Sequence, residues 1–173
     1  LNTTPTADEA YTFGLNDAPT IATNTGMTVT ENDLGTIITT AMLNEGDPDD
    51  SGAGLTYTIT TATLNGTLRL NGTALALSDT FTQADIDANL LSYDHDGTNT
   101  SSDSFEFSLA DGGEDGVSPV TGTYNITVTA VDDDTATVVN QSITVAEGAV
   151  NVTLTTTDLQ STDLDTTDAT LIY

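Results

Sequence analysis

Short stretches in which every second residue is apolar recur along most of this chain. The clearest are residues 55–59, 105–109 and 123–131. A period of two predicts β-strands that bury one face and expose the other to solvent. Threonine fills many of the intervening positions, which favours half-exposed strands over helices. The pattern therefore predicts an all-β fold.

The segment of residues 81–113 holds the densest series of turns and strands. A predicted helical turn leads into a strand, an acidic turn at residues 94–99, a second strand and an acidic glycine turn at residues 111–113. Carboxylates thus lie at strand ends, while the apolar residues share one face. Earlier in the chain, the Asn-Gly pairs that begin at Asn65 and Asn71 lie between apolar residues and predict tight hairpins.

The first part of the chain recurs near its end. An offset of 116 residues pairs Glu31 with Glu147 and Asp47 with Asp163, without a gap over 42 positions. A period of this size suits a β-sandwich module. We therefore divide the chain into the last strand of a preceding repeat or a linker (1–15), a complete repeat (16–131) and the first part of the next repeat (132–173). Because half a sandwich leaves its inner face open, we expect the chain to be an excerpt of a longer one, or a neighbouring subunit to complete it.

Composition narrows the possible functions. The formal net charge is −26, with Arg69 as the one basic residue, His95 as the one histidine and no cysteine. Such a chain repels nucleic acids and anionic membrane surfaces, so neither is expected as a partner. No apolar run approaches the length of a membrane span, so no membrane insertion is expected. Disulfides and thiolate zinc sites are excluded, and one histidine with no tryptophan gives no indication of an enzyme.

A resemblance to a known family rests on short motifs that occur in a fixed order: Phe81-Thr82-Gln83-Ala84-Asp85-Ile86, Tyr93, His95-Asp96-Gly97, Asp103-Ser104-Phe105 and Asp111-Gly112. The series resembles the repeat first described in chondroitin sulfate proteoglycan (CSPG) core proteins. That repeat is a cadherin-like module, also common in very large bacterial surface proteins. The resemblance implies tandem antiparallel Greek-key β-sandwiches of the cadherin-like or immunoglobulin-like type. It also implies a secreted, extracellular or cell-surface location.

Acidic residues cluster in turns at residues 47–50, 94–103 and 132–134. Calcium takes six to eight oxygen ligands from such turns, so Ca²⁺ is the candidate ion. Two of these turns resemble cadherin elements, and the resemblance implies two junctions. The upstream junction would use Asn16, Asp17, Asp47, Asp49 and Asp111, and the downstream one Glu31, Asp132, Asp133, Asp163 and Asp165. Cadherin linkers carry a further aspartate where Gly14 and Ala130 stand here, which leaves ligands for fewer ions.

Simpler interpretations stay open. Asp, Asn and Gly favour solvated turns without any ion, and acidity alone promotes solubility. His95 is interpreted as a hydrogen-bonding residue of its turn rather than a metal ligand or a base.

These expectations combine into a calcium-stiffened repeat module of a large secreted adhesin or extracellular fibre. Its partners would be neighbouring repeats, other copies of itself, or a glycan or cell-surface receptor. One alternative is a subunit of a self-assembling filament or surface layer, which predicts defined polymers from the purified chain. Another is a sandwich module that binds a glycan or a protein, whereas a spacer would bind no sugar.

Overall fold

A computed structural model describes residues 17–113 and 116–163 of the chain, and almost all of its regular structure is β. The strands are β1 (Ile21–Asn24), β2 (Met27–Thr30), β3 (Thr36–Ile37), β4 (Leu43–Glu45), β5 (Thr56–Thr61), β6 (Gly66–Leu70), β7 (Thr73–Ala74), β8 (Thr80–Thr82), β9 (Leu91–His95), β10 (Ser102–Ala110), β11 (Val120–Thr129), β12 (Thr137–Asn140) and β13 (Leu159–Thr162). A 3-10 turn (Gly52–Gly54) and one helix, α1 (Gln83–Asp87), lie between them. The all-β prediction is confirmed.

Two sheets form a sandwich around one core. The five-stranded sheet has the order β2-β11-β10-β5-β8, and the four-stranded sheet has the order β3-β9-β6-β7. Only β2 and β11 are parallel among the paired strands described. Phe105, Phe107 and Leu109 of β10 point into the core and are at most 1% exposed, as the alternation predicts. Tyr57 stacks on Phe81 at a ring-centroid distance of 4.9 Å.

The predicted helical turn is confirmed as α1. Thr82 caps it by accepting a hydrogen bond from the Asp85 N–H at 3.2 Å, and the Asp85 carboxylate accepts one from the Thr82 N–H at 2.7 Å. This reciprocal capping satisfies backbone donors that a short helix would otherwise leave unpaired. The helix buries Gln83, whose Oε1 accepts a hydrogen bond from the Tyr57 hydroxyl at 2.8 Å.

Only one of the two predicted Asn-Gly hairpins forms. Asn71 and Gly72 join β6 to β7, with φ angles of 48° and 80° that suit a tight two-residue turn. The Asn65 prediction is wrong, because Gly66 opens β6 and pairs with β9 in the other sheet from β5. Gly66 is needed there for a different reason: a Cβ atom at this position would collide with the Tyr93 ring and the Asp94 carbonyl.

The 116-residue offset also appears in strand pairing. β12 and β13 pair antiparallel with Asn140 opposite Leu159, as β1 and β4 pair with Asn24 opposite Leu43. The sequence recurrence is therefore matched by a recurrence of the same strand pair. The register also agrees at Thr23–Asn44 and Val139–Gln160, but β12 and β13 lack the register shift that follows Ile21 in β1.

Strand β10 runs from one end of the sandwich to the other. Its nine residues correspond to roughly 30 Å at the usual rise of a strand. We call the end where β10 finishes the upstream pole and the end where it begins the downstream pole. No helix within the described ranges is long and apolar enough to cross a membrane.

Candidate metal sites at the two poles of the sandwich

The upstream pole gathers four of the five residues predicted for the first junction: Asp17, Asp47, Asp49 and Asp111. The Asp17 backbone N–H donates to both carboxylate oxygens of Asp49 at 3.3 Å. Asp47 Oδ1 accepts hydrogen bonds from the N–H groups of Asp49 at 3.0 Å and Asp50 at 2.9 Å. The residue before the linker contact, Asn16, lies outside the described residues.

Asp111 completes this pole from the end of β10. It is only 3% exposed, and its Oδ1 accepts a hydrogen bond from the Gly113 N–H at 2.9 Å. Its negative charge faces Asp47, which lies 64 positions earlier in the chain. Strand β10 and the loop after β4 thus bring carboxylates together that the sequence keeps far apart.

The carboxylates of this pole influence one another. Burial raises the pKa of Asp47, but the hydrogen bonds from the Asp50 and Asp49 N–H groups outweigh it and hold the pKa below its ordinary value. The pKa of the exposed Asp49 is instead raised above its ordinary value, first by partial desolvation and next by the side-chain hydrogen bond with Asp47. Neighbouring negative charge thus disfavours the ionised form of Asp49, and a cation bound nearby would favour it.

The downstream pole is built on Glu31, which directly follows β2. Glu31 is 3% exposed, and its Oε2 accepts a hydrogen bond from the Val131 N–H at 3.0 Å, two residues after β11. Asn32 Nδ2 donates to Asp133 Oδ2 at 2.8 Å. Asn99 Nδ2 donates to Asp134 Oδ2 at 2.7 Å. The linker that leaves the sandwich is therefore held by one backbone contact and two side-chain amides.

His95 shapes the turn beneath this linker. Its Nδ1 lies 3.1 Å from the Gly97 N–H donor and 3.4 Å from the Asn32 N–H donor, while its Nε2 lies 3.2 Å from Thr100 Oγ1. An acceptor at Nδ1 requires a neutral ring with its proton on Nε2. The geometry agrees with a hydrogen-bonding role for His95 within its turn.

The remaining residues predicted for the downstream junction, Asp132, Asp163 and Asp165, do not share the contacts of Glu31 and Asp133. Asp132 is exposed, and Asp163 lines a shallow cavity of about 130 Å³ together with Asp134 and three threonines, Thr135, Thr137 and Thr162. Asp165 lies outside the described residues. Glu31, Asp132 and Asp133 thus lie near the linker, and Asp163 lies beside Asp134.

The acidic cluster at residues 94–103 does not form one shared site. Asp94 pairs with Arg69 at 2.5 Å and accepts the Gly35 N–H at 2.6 Å. Asp103 is buried, and the Leu64 and Asn65 N–H groups and the Tyr93 hydroxyl all donate to its carboxylate. Each of these carboxylates has its own structural donors, so the clustering in sequence does not become clustering in space.

Each pole holds one buried carboxylate oxygen that no described residue satisfies. Asp47 Oδ2 at the upstream pole and Glu31 Oε1 at the downstream pole are buried without a hydrogen-bond partner among the described residues. Burying such an oxygen without a donor is costly, and a bound cation removes that cost. Within residues 17–113 and 116–163, however, no three His, Asp or Glu side chains are already arranged as a metal-binding group.

Sequence reasoning missed three contributors to the poles: Asn32, Glu45 and the specific contact of Asn99 with Asp134. Glu45 Oε2 accepts the Asp47 N–H at 2.6 Å and so holds the Asp47 turn in place. Glu45 and Asn32 each lie within two residues of a predicted ligand, and this adjacency was the signal available in the sequence.

A two-sheet sandwich with acidic turns where the chain enters and leaves defines a cadherin-like module. Residues 19–128 match the family model described as Cadherin-like, and the chain belongs to that family. The family assignment confirms the cadherin-like part of the resemblance.

Several curated extracellular proteins are similar to this chain. "Extracellular matrix organizing protein FRAS1" of Mus musculus is 35% identical over 164 residues, which cover 92% of this chain and 4% of that protein. Human "FRAS1-related extracellular matrix protein 2" is 33% identical over 144 residues, covering 81% and 4%. "Extracellular matrix protein 3" of Lytechinus variegatus is 41% identical over 76 residues, covering 44% and 2%. The chain thus spans about one twenty-fifth of the length of the first two relatives.

Proposed function

We propose that this chain is a structural, non-enzymatic module of a large extracellular protein, a spacer whose ends are stiffened by Ca²⁺. The relatives are named as extracellular matrix proteins, and the chain corresponds to a small part of them. The observation that carries the calcium proposal is the crowding of Asp17, Asp47, Asp49 and Asp111 at the upstream pole, where no described residue satisfies a buried Asp47 oxygen. The CSPG type of repeat and a bacterial surface protein as its parent belong to the same proposal.

The charge distribution supports an external cation. Arg69 is the one Lys or Arg in the chain, and it is already paired with Asp94. With one Lys or Arg against 27 Asp and Glu residues, basic side chains can neutralise few of the chain's carboxylates. Calcium accepts carboxylates, backbone carbonyls and water as ligands in flexible loops, so exposed Asp17 and Asp49 can adjust around the buried oxygens.

Such an ion would have a mechanical effect. Asp17 belongs to the entering linker, Asp47 and Asp49 to the loop after β4, and Asp111 to the end of β10. An ion held by these residues would tie the linker to both the loop and the sheet. Glu31 and the linker carboxylates could do the same at the downstream pole, where Asn32 already holds Asp133. The ion would restrict bending between this module and its neighbours, which are its proposed partners.

A glycan-binding function receives less support. Every tyrosine and phenylalanine within the described ranges is buried in the core: Tyr57, Phe81, Tyr93, Phe105, Phe107 and Tyr124. These side chains therefore offer no exposed aromatic platform on which a sugar ring could stack.

Calcium-dependent stability tests the proposal. With a dissociation constant of about 10⁻⁴ M, calcium at ~10 mM would stabilise the fold by roughly 2.7 kcal/mol per site. We expect the melting temperature to be clearly higher in calcium than in chelator at matched ionic strength. The measurement is thermal unfolding followed by circular dichroism.

Matched variants separate site binding from charge screening. Asp47→Asn keeps the acceptor for the Asp49 and Asp50 N–H groups but removes the charge, and it should abolish much of the calcium-induced shift. Asp79→Asn is the control, because Asp79 also caps a turn, through the Ala76 N–H at 2.8 Å. A wild-type melting curve that is the same in calcium and chelator, or equal losses in both variants, would refute the calcium proposal.

A further inference from the structure

The two Asn-Gly pairs of the chain, at Asn65 and Asn71, lie in different surroundings. An asparagine followed by glycine is especially prone to lose its side-chain amide, because glycine has no side chain to shield its own backbone nitrogen. The reaction requires the glycine nitrogen to reach Cγ, the side-chain carbonyl carbon of the asparagine. Its rate in a folded protein therefore depends on how freely each pair can move.

Asn71 and Gly72 form the exposed tip of the β6–β7 hairpin. The Asn71 backbone N–H donates to the Leu90 carbonyl at 2.8 Å, but neither the Asn71 side chain nor the Gly72 N–H has a hydrogen-bond partner among the described residues. A Cβ atom at Gly72 would meet nothing within 4 Å. Beyond the tip, β7 consists of only two residues, both exposed. The tip can therefore open locally at small cost, and the reacting atoms have room to meet.

Asn65 is held in place by its side chain and by its backbone. Its Nδ2 donates to the Ser102 carbonyl at 3.0 Å, and its backbone N–H donates to Asp103 Oδ2 at 3.0 Å. Its backbone carbonyl accepts a hydrogen bond from the Tyr93 hydroxyl at 3.1 Å. The next residue, Gly66, packs directly against the Tyr93 ring. Attack on Asn65 therefore requires these contacts to break first.

We propose that Asn71 is a site of spontaneous deamidation in the folded protein and that the fold protects Asn65. The Gly72 nitrogen gives up its proton to hydroxide and bonds to Asn71 Cγ, which forms a succinimide ring. The bond from Cγ to the side-chain nitrogen breaks, and ammonia leaves with the two amide hydrogens and one proton returned by water. A water molecule then opens the ring at either carbonyl, which leaves aspartate or isoaspartate at position 71.

The modification would change the edge of the four-stranded sheet. Both products place a new negative charge near Arg69, whose Nη1 donates to the Gly72 carbonyl at 3.3 Å. Isoaspartate also routes the main chain through the former side chain, and the longer backbone no longer suits a tight two-residue turn. Strand β7 should then pair less firmly with β6. The Leu75 N–H, which donates to the Leu68 carbonyl at 2.8 Å, should exchange faster with solvent.

Peptide mapping of the aged 173-residue chain tests this proposal. Because Arg69 is the one Lys or Arg, trypsin cuts the unfolded chain once and places Asn65 and Asn71 in separate peptides, 1–69 and 70–173. After incubation in mildly alkaline buffer, tandem mass spectrometry measures the conversion at each asparagine, with an unincubated digest as background. We expect Asn71 to react at least ~10-fold faster than Asn65, because only Asn65 must first lose its tertiary contacts. In concentrated urea the two rates should become similar.

Asn71→Asp is the matched control, since its peptide 70–173 should gain no further acid at position 71 while Asn65 behaves as in the wild-type chain. The aged wild-type peptide should contain both isoaspartate and aspartate at this position. Equal rates at the two asparagines in native buffer, or an Asn71 that reacts only in urea, would overturn the proposal. Aspartate without isoaspartate would also overturn it, because direct hydrolysis leaves only aspartate. The reaction needs no cation, so its outcome is independent of the calcium proposal.

Discussion

Two buried tyrosines provide a matched test of how hydrogen bonding stabilises this module. Tyr93 and Tyr124 are both fully buried. The Tyr93 hydroxyl donates to Asp103 Oδ2 at 2.8 Å and lies 3.1 Å from the Asn65 carbonyl oxygen. The Tyr124 hydroxyl has no hydrogen-bond partner among the described residues. Substitution by phenylalanine removes the same single oxygen from each.

The expected effects differ in sign. A hydrogen bond to a charged group contributes about 1.5–3 kcal/mol, so Tyr93→Phe should lower the free energy of unfolding by that amount. Asp103 would keep its backbone donors, Leu64 and Asn65, which limits the loss. A buried hydroxyl without a partner costs about 1–3 kcal/mol, so Tyr124→Phe should leave the free energy of unfolding unchanged or raise it. Burial raises the pKa of both phenols, so neither ionises near neutral pH.

Urea unfolding followed by far-ultraviolet circular dichroism measures the difference. With an m-value of roughly 2 kcal/mol per molar urea, a loss of ~2 kcal/mol moves the midpoint by about 1 M. The Tyr93→Phe midpoint should therefore fall by about that much, while the Tyr124→Phe midpoint should stay or rise. Equal losses in the two variants would show that packing of the ring, and not the hydroxyl, decides both outcomes.

Three further predictions concern single residues. Burial alone would raise the pKa of Asp94, but the Arg69 contact and the Gly35 N–H hold it below its ordinary value. Ionised Asp94 therefore adds to the free energy of unfolding above a pH of about 4, and this contribution is lost as the pH falls further. Asp94→Asn should therefore cost about 1 kcal/mol in urea unfolding at neutral pH and little near pH 2, and a cost that does not change with pH would contradict this. Gly66→Ala should destabilise the fold by about 2–4 kcal/mol, because the new methyl group meets backbone and the Tyr93 ring. Gly72→Ala should lower the free energy of unfolding by about 1–2 kcal/mol, because the backbone at this position is left-handed and the new methyl group meets nothing within 4 Å. In thermal unfolding, its melting temperature should therefore fall less than that of Gly66→Ala.

The local pattern of the sequence was enough to determine the strands and the buried face of the module. Phe105, Phe107 and Leu109 alternate in β10 and all enter the core, because a strand turns successive side chains to opposite faces whatever its neighbours are. The capping of α1 by Thr82 and Asp85 is equally local. The 116-residue recurrence could also be read from the sequence, since it needs no knowledge of contacts.

The tertiary structure alone decided which partner each acidic residue has. Asp94 and Asp103 lie in one acidic stretch, yet one pairs with Arg69 and the other accepts donors from the turn before β6. Asp47 and Asp111 are far apart in the chain, yet their charges face each other at one pole. The physical reason is that strand periodicity depends on adjacent residues, whereas the partner of a carboxylate depends on which strand ends the sheet order brings together.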